Sequence, residues 1–275
     1  NKNAALNERH FYNHQLLYMR SINKKRKEMI LDLQLHRKKV LVMGSSTGIG
    51  KAIAEVFIKE GAEVTLCSRN IEKLEQTAQE LDCKNFFSCD FSKAGQGKFA
   101  TEQAIKLMNG LDILINNTGG PKKGIFEQIT DEQWHEDYQS LWMTLVESCK
   151  VALPIMKKNH FGRILLITSL AAKEPLSGLT TSNGLRAGLP GLCKSIANEY
   201  APFGITLNLL LPGYTNTDRL KELNLSDEKV QQMVPAGRLG DPKELAYLAA
   251  FLASPLSAYT TGQSIAVDGG TLRGL

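Results

Sequence analysis

Short apolar runs alternate with segments of helical periodicity along most of the chain. The run KKVLVMG at 38–44 is rich in β-branched residues and stops at glycine, which is typical of a buried strand. The segment GIGKAIAEVFIKEG at 48–61 has apolar residues at helical spacing and ends on a glycine, which is typical of a helix. Further strands are predicted at 62–68, 85–91, 111–117, 162–169, 205–213 and 264–270, and further helices at 71–81, 96–108, 131–159 and 182–200.

This alternation predicts an α/β fold with a single doubly wound domain. The strands are almost uniformly apolar, which indicates a seven-stranded, mostly parallel sheet with helices on both faces. The segment from Tyr214 to Gly240 breaks the rhythm and follows the carboxyl end of a strand. Open α/β sheets bind their ligands at that end of the sheet, so this segment is expected to border a ligand site.

Composition agrees with one globular domain and gives no sign of a metal site. The chain has 275 residues, of which 43% are hydrophobic and 22% are charged, and no apolar run is as long as a membrane helix requires. The five cysteines at 67, 83, 89, 149 and 193 form no CxxC motif, which indicates reduced thiols in a cytoplasmic protein. His10 and His14 can share a helix face, but no third ligand accompanies them.

The excess positive charge is concentrated near the amino terminus. The formal net charge is +5, and KKRK at 24–27 and HRKK at 36–39 hold much of it. We interpret residues 1–28 as a basic extension, helical or disordered, and residues 29–275 as the folded domain. A solvated tail is the simplest interpretation of the extension, with binding to an anion, a membrane surface or nucleic acid as the alternative.

The stretch GSSTGIG at 44–50 is a candidate phosphate-binding loop. It joins the first predicted strand to the first predicted helix, where glycines permit a tight turn and the helix amino terminus offers free N–H groups. Its spacing, G-x-x-x-G-x-G, differs from the dinucleotide pattern G-x-G-x-x-G. A tight turn without a ligand is the alternative interpretation.

The end of the second strand indicates which nucleotide the loop would bind. An acidic residue there would hold a ribose 2′-hydroxyl and repel a 2′-phosphate. The chain instead has Ser68, Arg69 and Asn70, and a guanidinium can pair with a 2′-phosphate. We therefore predict NADP(H) in preference to NAD(H), and a merely solvated arginine remains the alternative.

From about Leu35 to Gly270 the chain resembles the short-chain dehydrogenase/reductase superfamily. GSSTGIG resembles the family's TGxxxGIG motif, with Met43 in place of the usual threonine, and NNTGG at 116–120 resembles NNAG. CDF at 89–91 resembles the acidic pair that contacts adenine, and LLPGY with Thr217 resembles the PG motif. The segments GRLGDPKELAYLAAFLAS and YTTGQSIAVDGG resemble the carboxyl-terminal signatures of the 3-oxoacyl-[acyl-carrier-protein] reductase-like branch.

The resemblance implies a Rossmann-type fold and a set of cofactor-binding residues. These are Gly44, Ser46, Thr47, Gly48, Ile49, Gly50, Ser68, Arg69, Asp90, Phe91, Asn117, Gly119, Arg186, Pro212, Gly213, Thr215 and Thr217.

The resemblance also implies a catalytic tetrad of asparagine, serine, tyrosine and lysine, of which this chain keeps one member. Ser169 matches the serine, whereas the tyrosine position holds Ser182 and the lysine position holds Arg186. The asparagine position holds Leu141. We take Ser169, Ser182 and Arg186 as the candidate catalytic residues.

These substitutions remove the family's usual acid. An aliphatic hydroxyl such as that of Ser182 is a far weaker acid than a phenol, and Arg186 stays charged and cannot relay a proton by losing one. Replacement donors are conceivable among Lys173, Glu174, Tyr214, Thr180 and Thr181. Electrostatic stabilisation of an alkoxide, with water as the proton source, is a further possibility.

Two main functions follow from this pattern. The first is an NADP(H)-dependent oxidoreductase that acts on a small carbonyl, alcohol or oxoacyl substrate with a non-standard proton donor. The second is a nucleotide-binding regulatory or scaffold protein without turnover, and a lyase or epimerase reaction at the same site is a third possibility. The long apolar helices around 142–156 and 185–197 favour a homodimer or homotetramer, and neither a nucleic acid nor a membrane partner is predicted.

Overall fold

The computed structural model describes residues 31–221 and 226–274. The strands of this part of the chain form one parallel sheet. Its strands, all of whose pairings are parallel, lie in the order β3-β2-β1-β4-β5-β6-β7. They are β1 (Lys39–Met43), β2 (Glu63–Ser68), β3 (Asn85–Ser88), β4 (Ile113–Asn116), β5 (Gly162–Ile167), β6 (Ile205–Pro212) and β7 (Ser264–Val267). The sheet predicted as mostly parallel is therefore parallel throughout its described strands, and the order reverses between β1 and β4.

Helices cover both faces of the sheet. They are α1 (Gly48–Lys59), α2 (Ile71–Glu80), α3 (Gln96–Met108), α4 (Asp131–Tyr138), α5 (Thr144–Lys158), α6 (Thr180–Ala187), α7 (Leu189–Tyr200), α8 (Asp218–Lys221), α9 (Asp227–Met233) and α10 (Pro242–Ala253). Buried side chains of α3, α5 and α7 form one hydrophobic core with one face of the sheet. Helices α1 and α10 pack against each other and against the strands.

The helix predicted at 131–159 is interrupted in its middle. A π-helical turn, Gln139–Met143, separates α4 from α5, and the Thr144 hydroxyl donates a hydrogen bond to the Gln139 carbonyl at 3.0 Å. Such a turn is rare and is frequently found at functional sites. Leu141, at the position that the resemblance assigns to asparagine, lies within this turn and is buried.

The helix predicted at 182–200 begins two residues earlier and is broken into α6 and α7 at Gly188. A Cβ built on Gly188 would lie 2.9 Å from the indole ring of Trp142. The indole of the π-helical turn therefore occupies the space that a side chain would need, and the two helical segments meet at the only type of residue that fits there.

Three predicted strands are too long because polar side chains turn the chain at their carboxyl ends. Strand β3 ends at Ser88 and not at Phe91, and the Asp90 carboxylate accepts a hydrogen bond from the Ser92 hydroxyl at 2.9 Å. Strand β5 ends at Ile167, before Ser169, and β7 ends at Val267.

The irregular segment 214–240 contains the short helices α8 and α9, in agreement with its break in rhythm. The predicted extension, residues 1–28, and its His10–His14 pair lie outside the described residues. No helix within residues 31–221 and 226–274 has the length and apolar character needed to cross a bilayer. The same residues contain no cluster of three potential metal ligands.

Candidate functional site

Two glycines of the loop between β1 and α1 have no room for a side chain. A Cβ built on Gly44 would lie 2.3 Å from the backbone oxygen of Asn117, and one built on Gly50 would lie 2.1 Å from the backbone oxygen of Gly44. Gly44 also has a φ of +59°, which only glycine adopts readily. The close packing places the amino terminus of α1 directly after the loop, and the free N–H groups and partial positive charge of a helix amino terminus are what the predicted phosphate site requires.

Polar side chains from three elements hold this loop in place. The Ser45 hydroxyl accepts a hydrogen bond from a backbone N–H of β2 at 3.0 Å, and the Thr77 hydroxyl of α2 donates to the Ser46 carbonyl at 2.8 Å. The Asn117 side-chain amide donates to the two carbonyls at the start of the loop, each at 3.2 Å. Asn117 stands in the NNTGG motif and Ser45 in GSSTGIG, whereas Thr77 belongs to no motif and reaches the loop only because α2 lies beside it.

A cleft of about 270 Å³ opens at the carboxyl ends of the strands. Arg69, Asp90 and Phe91, which the sequence analysis assigns to the nucleotide, are among the residues that line it. The Ser88 hydroxyl donates to the backbone carbonyl of Arg69 at 3.1 Å and so fixes the chain that carries the guanidinium. Ser68, the last residue of β2, is buried beside them.

The loop after β4 forms the wall of the same cleft. Lys122 and Lys123 line it together with Ser140 of the π-helical turn. These three residues belong to no recognised motif, and the loop and the turn come together only in the fold. Thr181, a candidate replacement donor, also lines the cleft although its side chain is nearly buried.

Helix α6 brings Ser182 and Arg186 into direct contact. The Arg186 Nε donates to the Ser182 hydroxyl oxygen at 3.2 Å, and both side chains are 4% exposed. One terminal guanidinium nitrogen of Arg186 donates to the Gly119 carbonyl at 3.0 Å. A buried cation therefore joins the helix that carries the candidate catalytic residues to the NNTGG segment.

Ser169 is held within its own loop. Its side-chain oxygen accepts a hydrogen bond from the Ala171 N–H at 3.2 Å and caps the single 3₁₀ turn Leu170–Ala172, which packs against α6. The carboxylate of Glu174, another candidate donor, accepts hydrogen bonds from the backbone N–H groups of Arg273 at 3.0 Å and Gly274 at 2.6 Å.

The turn that follows β6 reaches the glycine loop. The Gly213 N–H donates to a β7 carbonyl at 3.0 Å, and the Thr215 hydroxyl donates to the Gly213 carbonyl at 3.2 Å. The Thr217 methyl group lies 3.1 Å from a Cβ built on Gly48. Pro212, Gly213, Thr215 and Thr217 are therefore grouped at the same edge of the sheet as the glycine loop, where Ser46, Thr47 and Ile49 also lie.

The thiols are unsuited to nucleophilic chemistry. All five cysteines are unpaired. Burial raises the pKa of the Cys149 thiol to about 12 and, together with the Asp90 carboxylate, raises that of Cys89 to about 12. A thiol with so high a pKa contains almost no thiolate near neutral pH.

A protein-family model described as enoyl-(acyl carrier protein) reductase matches residues 44–271. Nodulation protein G from Rhizobium sp. (strain N33) is 36% identical over 240 residues, which cover 86% of this chain and 98% of that protein. The 3-oxoacyl-[acyl-carrier-protein] reductase FabG of Chlamydia pneumoniae is 33% identical over 246 residues, which cover 87% of this chain and 99% of that protein.

A similar solved structure adds a resemblance in three dimensions. It is the NADPH-bound short chain oxidoreductase of Pseudomonas aeruginosa PAO1, described as containing an atypical catalytic center. It is 31% identical, has a TM-score of 0.80, and matches over 87% of this chain and 100% of that one. The chain belongs to the short-chain dehydrogenase/reductase superfamily, on its 3-oxoacyl-[acyl-carrier-protein] reductase-like branch.

Proposed function

We propose that this chain is an NADP(H)-dependent oxidoreductase that uses Arg186 and Ser182 where its family has lysine and tyrosine. The observation that carries the proposal is the buried guanidinium that contacts both the Ser182 hydroxyl and the Gly119 carbonyl. The guanidinium is nearly buried, and a fixed positive charge shielded from water stabilises an oxygen that becomes negative during the reaction.

The glycine loop fits the phosphates of the cofactor. Its close packing at Gly44 and Gly50 is a cradle that side chains would fill, and the amino terminus of α1 supplies the donors. Arg69 is placed to pair with a 2′-phosphate, and its exposed guanidinium needs no rearrangement to do so. The NADPH-bound P. aeruginosa oxidoreductase supports the preference for NADP(H) over NAD(H).

Ser182 and Arg186 have different roles at the substrate oxygen. The cofactor, when bound, supplies a hydride to the carbonyl carbon. The Ser182 oxygen accepts the Arg186 Nε–H, so its own O–H is free to donate to the substrate oxygen. The cation stabilises the alkoxide that forms, and water supplies the proton that completes the alcohol.

The substrate class follows from the family and not from the cleft. A small carbonyl or alcohol, or an oxoacyl thioester of the kind that the C. pneumoniae reductase is named for, is the substrate we propose. The unpaired thiols suit the reducing cytoplasm predicted from the cysteine pattern, which stays a prediction.

A nucleotide-binding regulatory or scaffold protein is the second candidate. The buried Leu141 favours it, because an apolar side chain cannot hold the water through which the family's asparagine relays protons. Retention of the glycine loop is compatible with both candidates, so turnover decides between them.

The test is titration of the purified protein with NADPH and NADH, followed by turnover with diketones and an acetoacetyl thioester. Arg186→Met should lower turnover by about 100- to 1000-fold, as loss of an oxyanion donor does, while Arg186→Lys, which keeps the charge, should retain more activity. Tight NADPH binding without turnover on any substrate of the panel would favour the scaffold. Failure to bind either nucleotide would contradict both candidates.

A further inference from the structure

The last described residues form a strap along the edge of the site. We define the carboxyl-terminal strap as Asp268–Gly274, which follows β7. It leaves the sheet beside the turn after β6, where a Cβ built on Gly213 would lie 2.6 Å from the Asp268 Cα. This close approach brings the strap to the edge of the sheet that carries the glycine loop and the candidate catalytic residues.

The Asp268 carboxylate folds the strap back on itself. One of its oxygens accepts from the Gly270 N–H at 3.0 Å, and the other accepts from the Leu272 N–H at 2.7 Å. Gly269 and Gly270 have φ values of +63° and +87°, so the turn depends on glycine. The side chain of Leu272 packs against the main hydrophobic core, which fixes the middle of the strap.

One side of the strap contacts the end of the irregular segment 214–240. The Ala236 N–H donates to the Gly269 carbonyl at 3.0 Å. A Cβ built on Gly269 would lie 2.8 Å from a methyl carbon of Val234, whose side chain is 2% exposed. The chain that leaves α9 is thus packed directly on the strap.

The other side of the strap contacts the loop that carries Ser169. Its partner there is Glu174, whose carboxylate binds the last two described N–H groups. The Glu174 N–H itself donates to the Leu170 carbonyl at 3.0 Å, within the turn that Ser169 caps. The strap therefore joins two segments that are far apart in sequence and that border the same site.

We propose that Glu174 is a positioning residue that acts through the carboxyl-terminal strap to hold the end of segment 214–240 against the substrate site. This inference rests on the proposed function for the existence of a substrate, and it takes segment 214–240 as the border of the substrate pocket that the sequence predicts. A carboxylate that accepts two N–H bonds is a strong tether. Within the described residues Glu174 hydrogen-bonds to Leu170, Arg273 and Gly274, none of which is a predicted cofactor residue, so loosening it should affect substrate binding and not nucleotide binding.

The variants are Glu174→Ala, which removes the acceptor, and Glu174→Gln, which keeps an acceptor oxygen without the charge. Glu75→Ala, at an exposed glutamate of α2, is the matched control. In Glu174→Ala we expect the KM for the carbonyl substrate to rise about tenfold, because part of the energy of the two lost hydrogen bonds is then needed to order the pocket, with kcat and the NADPH Kd within about twofold of wild type. Glu174→Gln should lie between Glu174→Ala and wild type.

A readout that does not need turnover separates this inference from the proposed function. Hydrogen exchange in the full chain should be faster for the amides of Val234, Ala236 and Gly237 in Glu174→Ala and unchanged in Glu75→Ala. Unchanged exchange at these three amides in Glu174→Ala would overturn the inference even if the enzyme is active. A collapse of kcat with unchanged KM would also overturn it, by making Glu174 the acid. If Glu174→Ala does not fold, the same exchange and KM criteria apply to Glu174→Gln.

Discussion

We expect the guanidinium of Arg69 to determine which nucleotide the site prefers. It is exposed and lines the cleft with Asp90 and Phe91, and no carboxylate ends β2. Arg69→Ser should therefore raise the Kd for NADPH by about tenfold or more, because a hydrogen bond to a charged group is lost, and leave the Kd for NADH nearly unchanged. Fluorescence titration with both nucleotides measures this difference.

Lys73→Ser serves as the control for the Arg69 variant. This lysine is exposed in the first turn of α2 and does not line the cleft, so its removal changes the net charge equally. Equal losses of NADPH affinity in the two variants would mean that the preference for NADPH comes from the overall positive charge of the protein and not from pairing between Arg69 and the 2′-phosphate.

Gly50 shows how the loop limits the side chains that it tolerates. An alanine in a helix is ordinarily more stable than glycine, but a methyl group here would meet the Gly44 carbonyl at 2.1 Å and the Asn117 amide at 2.8 Å. Gly50→Ala should lower the free energy of unfolding by about 1–3 kcal/mol and weaken NADPH binding. Chemical denaturation and nucleotide titration check the two effects.

The contrasting variant is Gly184→Ala in α6. Its added methyl would meet the Trp134 ring at an ordinary 3.6 Å, so the helix preference for alanine should prevail and stability should not fall. If Gly50→Ala is as stable as Gly184→Ala, the loop is not closely packed in solution.

At the residue scale the sequence identified the residues that stand in motifs, but not the side chains that hold those residues in place. Gly44, Asn117 and Arg186 stand in recognisable patterns, and the fold groups them at one edge of the sheet. Thr77 carries no pattern of its own, because its contact depends on how α2 lies against the loop. Ser182 and Arg186 stand four residues apart and so share a helix face, but their spacing does not encode which guanidinium nitrogen binds the hydroxyl and which binds Gly119.

At the scale of elements, the start of α10 combines a capping box with an ion pair. Arg238 binds Glu244 through two hydrogen bonds of 2.8 and 2.7 Å and lowers the pKa of that carboxyl from 4.5 to about 2. The ionised Glu244 also accepts the Asp241 N–H at 2.8 Å. Because the folded-state pKa is depressed, the pair stabilises the fold at neutral pH, and this stabilisation is lost as the pH falls from about 4.5 to about 2.

Glu244→Gln should therefore lower the melting temperature at pH 7, and the difference from wild type should shrink below pH 4.5 and vanish near pH 2. The amide oxygen of glutamine can still accept the Asp241 N–H, so the variant removes the charge and keeps the cap. The effect should be modest and should weaken in high salt, because the pair is exposed. Melting curves by circular dichroism across this range test it, and a difference that is independent of pH would show that packing, not charge, is responsible.

Periodicity predicted every described strand but not the breaks within helices. The strands are short apolar runs bounded by glycine or polar residues, and their centres follow from burial on both faces. The π-helical turn Gln139–Met143 and the break at Gly188 arise together, where Trp142 packs on the glycine. That contact joins residues 46 positions apart in sequence, so a local pattern cannot reveal it.

At the scale of the whole molecule, one helical face is notable for its small, exposed residues. Ala187 and Gly191 lie four residues apart along α6 and α7, and both are exposed. Small side chains at this spacing share one face of a helix and allow another helix to approach closely. A second exposed apolar group, with Tyr247 and Phe251 among its members, lies on and after α10. A dimer would use one of these surfaces and a tetramer both.

Gly191→Arg tests the predicted assembly at the first of these surfaces. A Cβ at Gly191 would meet nothing within 4 Å, so a single chain should tolerate the arginine, whereas a closely packed partner helix would not. Light scattering at micromolar concentration should give two or four times the 30.3 kDa of one chain for wild type and for Gly191→Ala, and a smaller assembly for Gly191→Arg. A monomeric wild type would contradict the predicted assembly. A buried unpaired charge at a dimer interface costs several kcal/mol, so an arginine at position 191 would disrupt an interface there. An unchanged mass in Gly191→Arg would therefore indicate that the interface lies on the surface formed by α10.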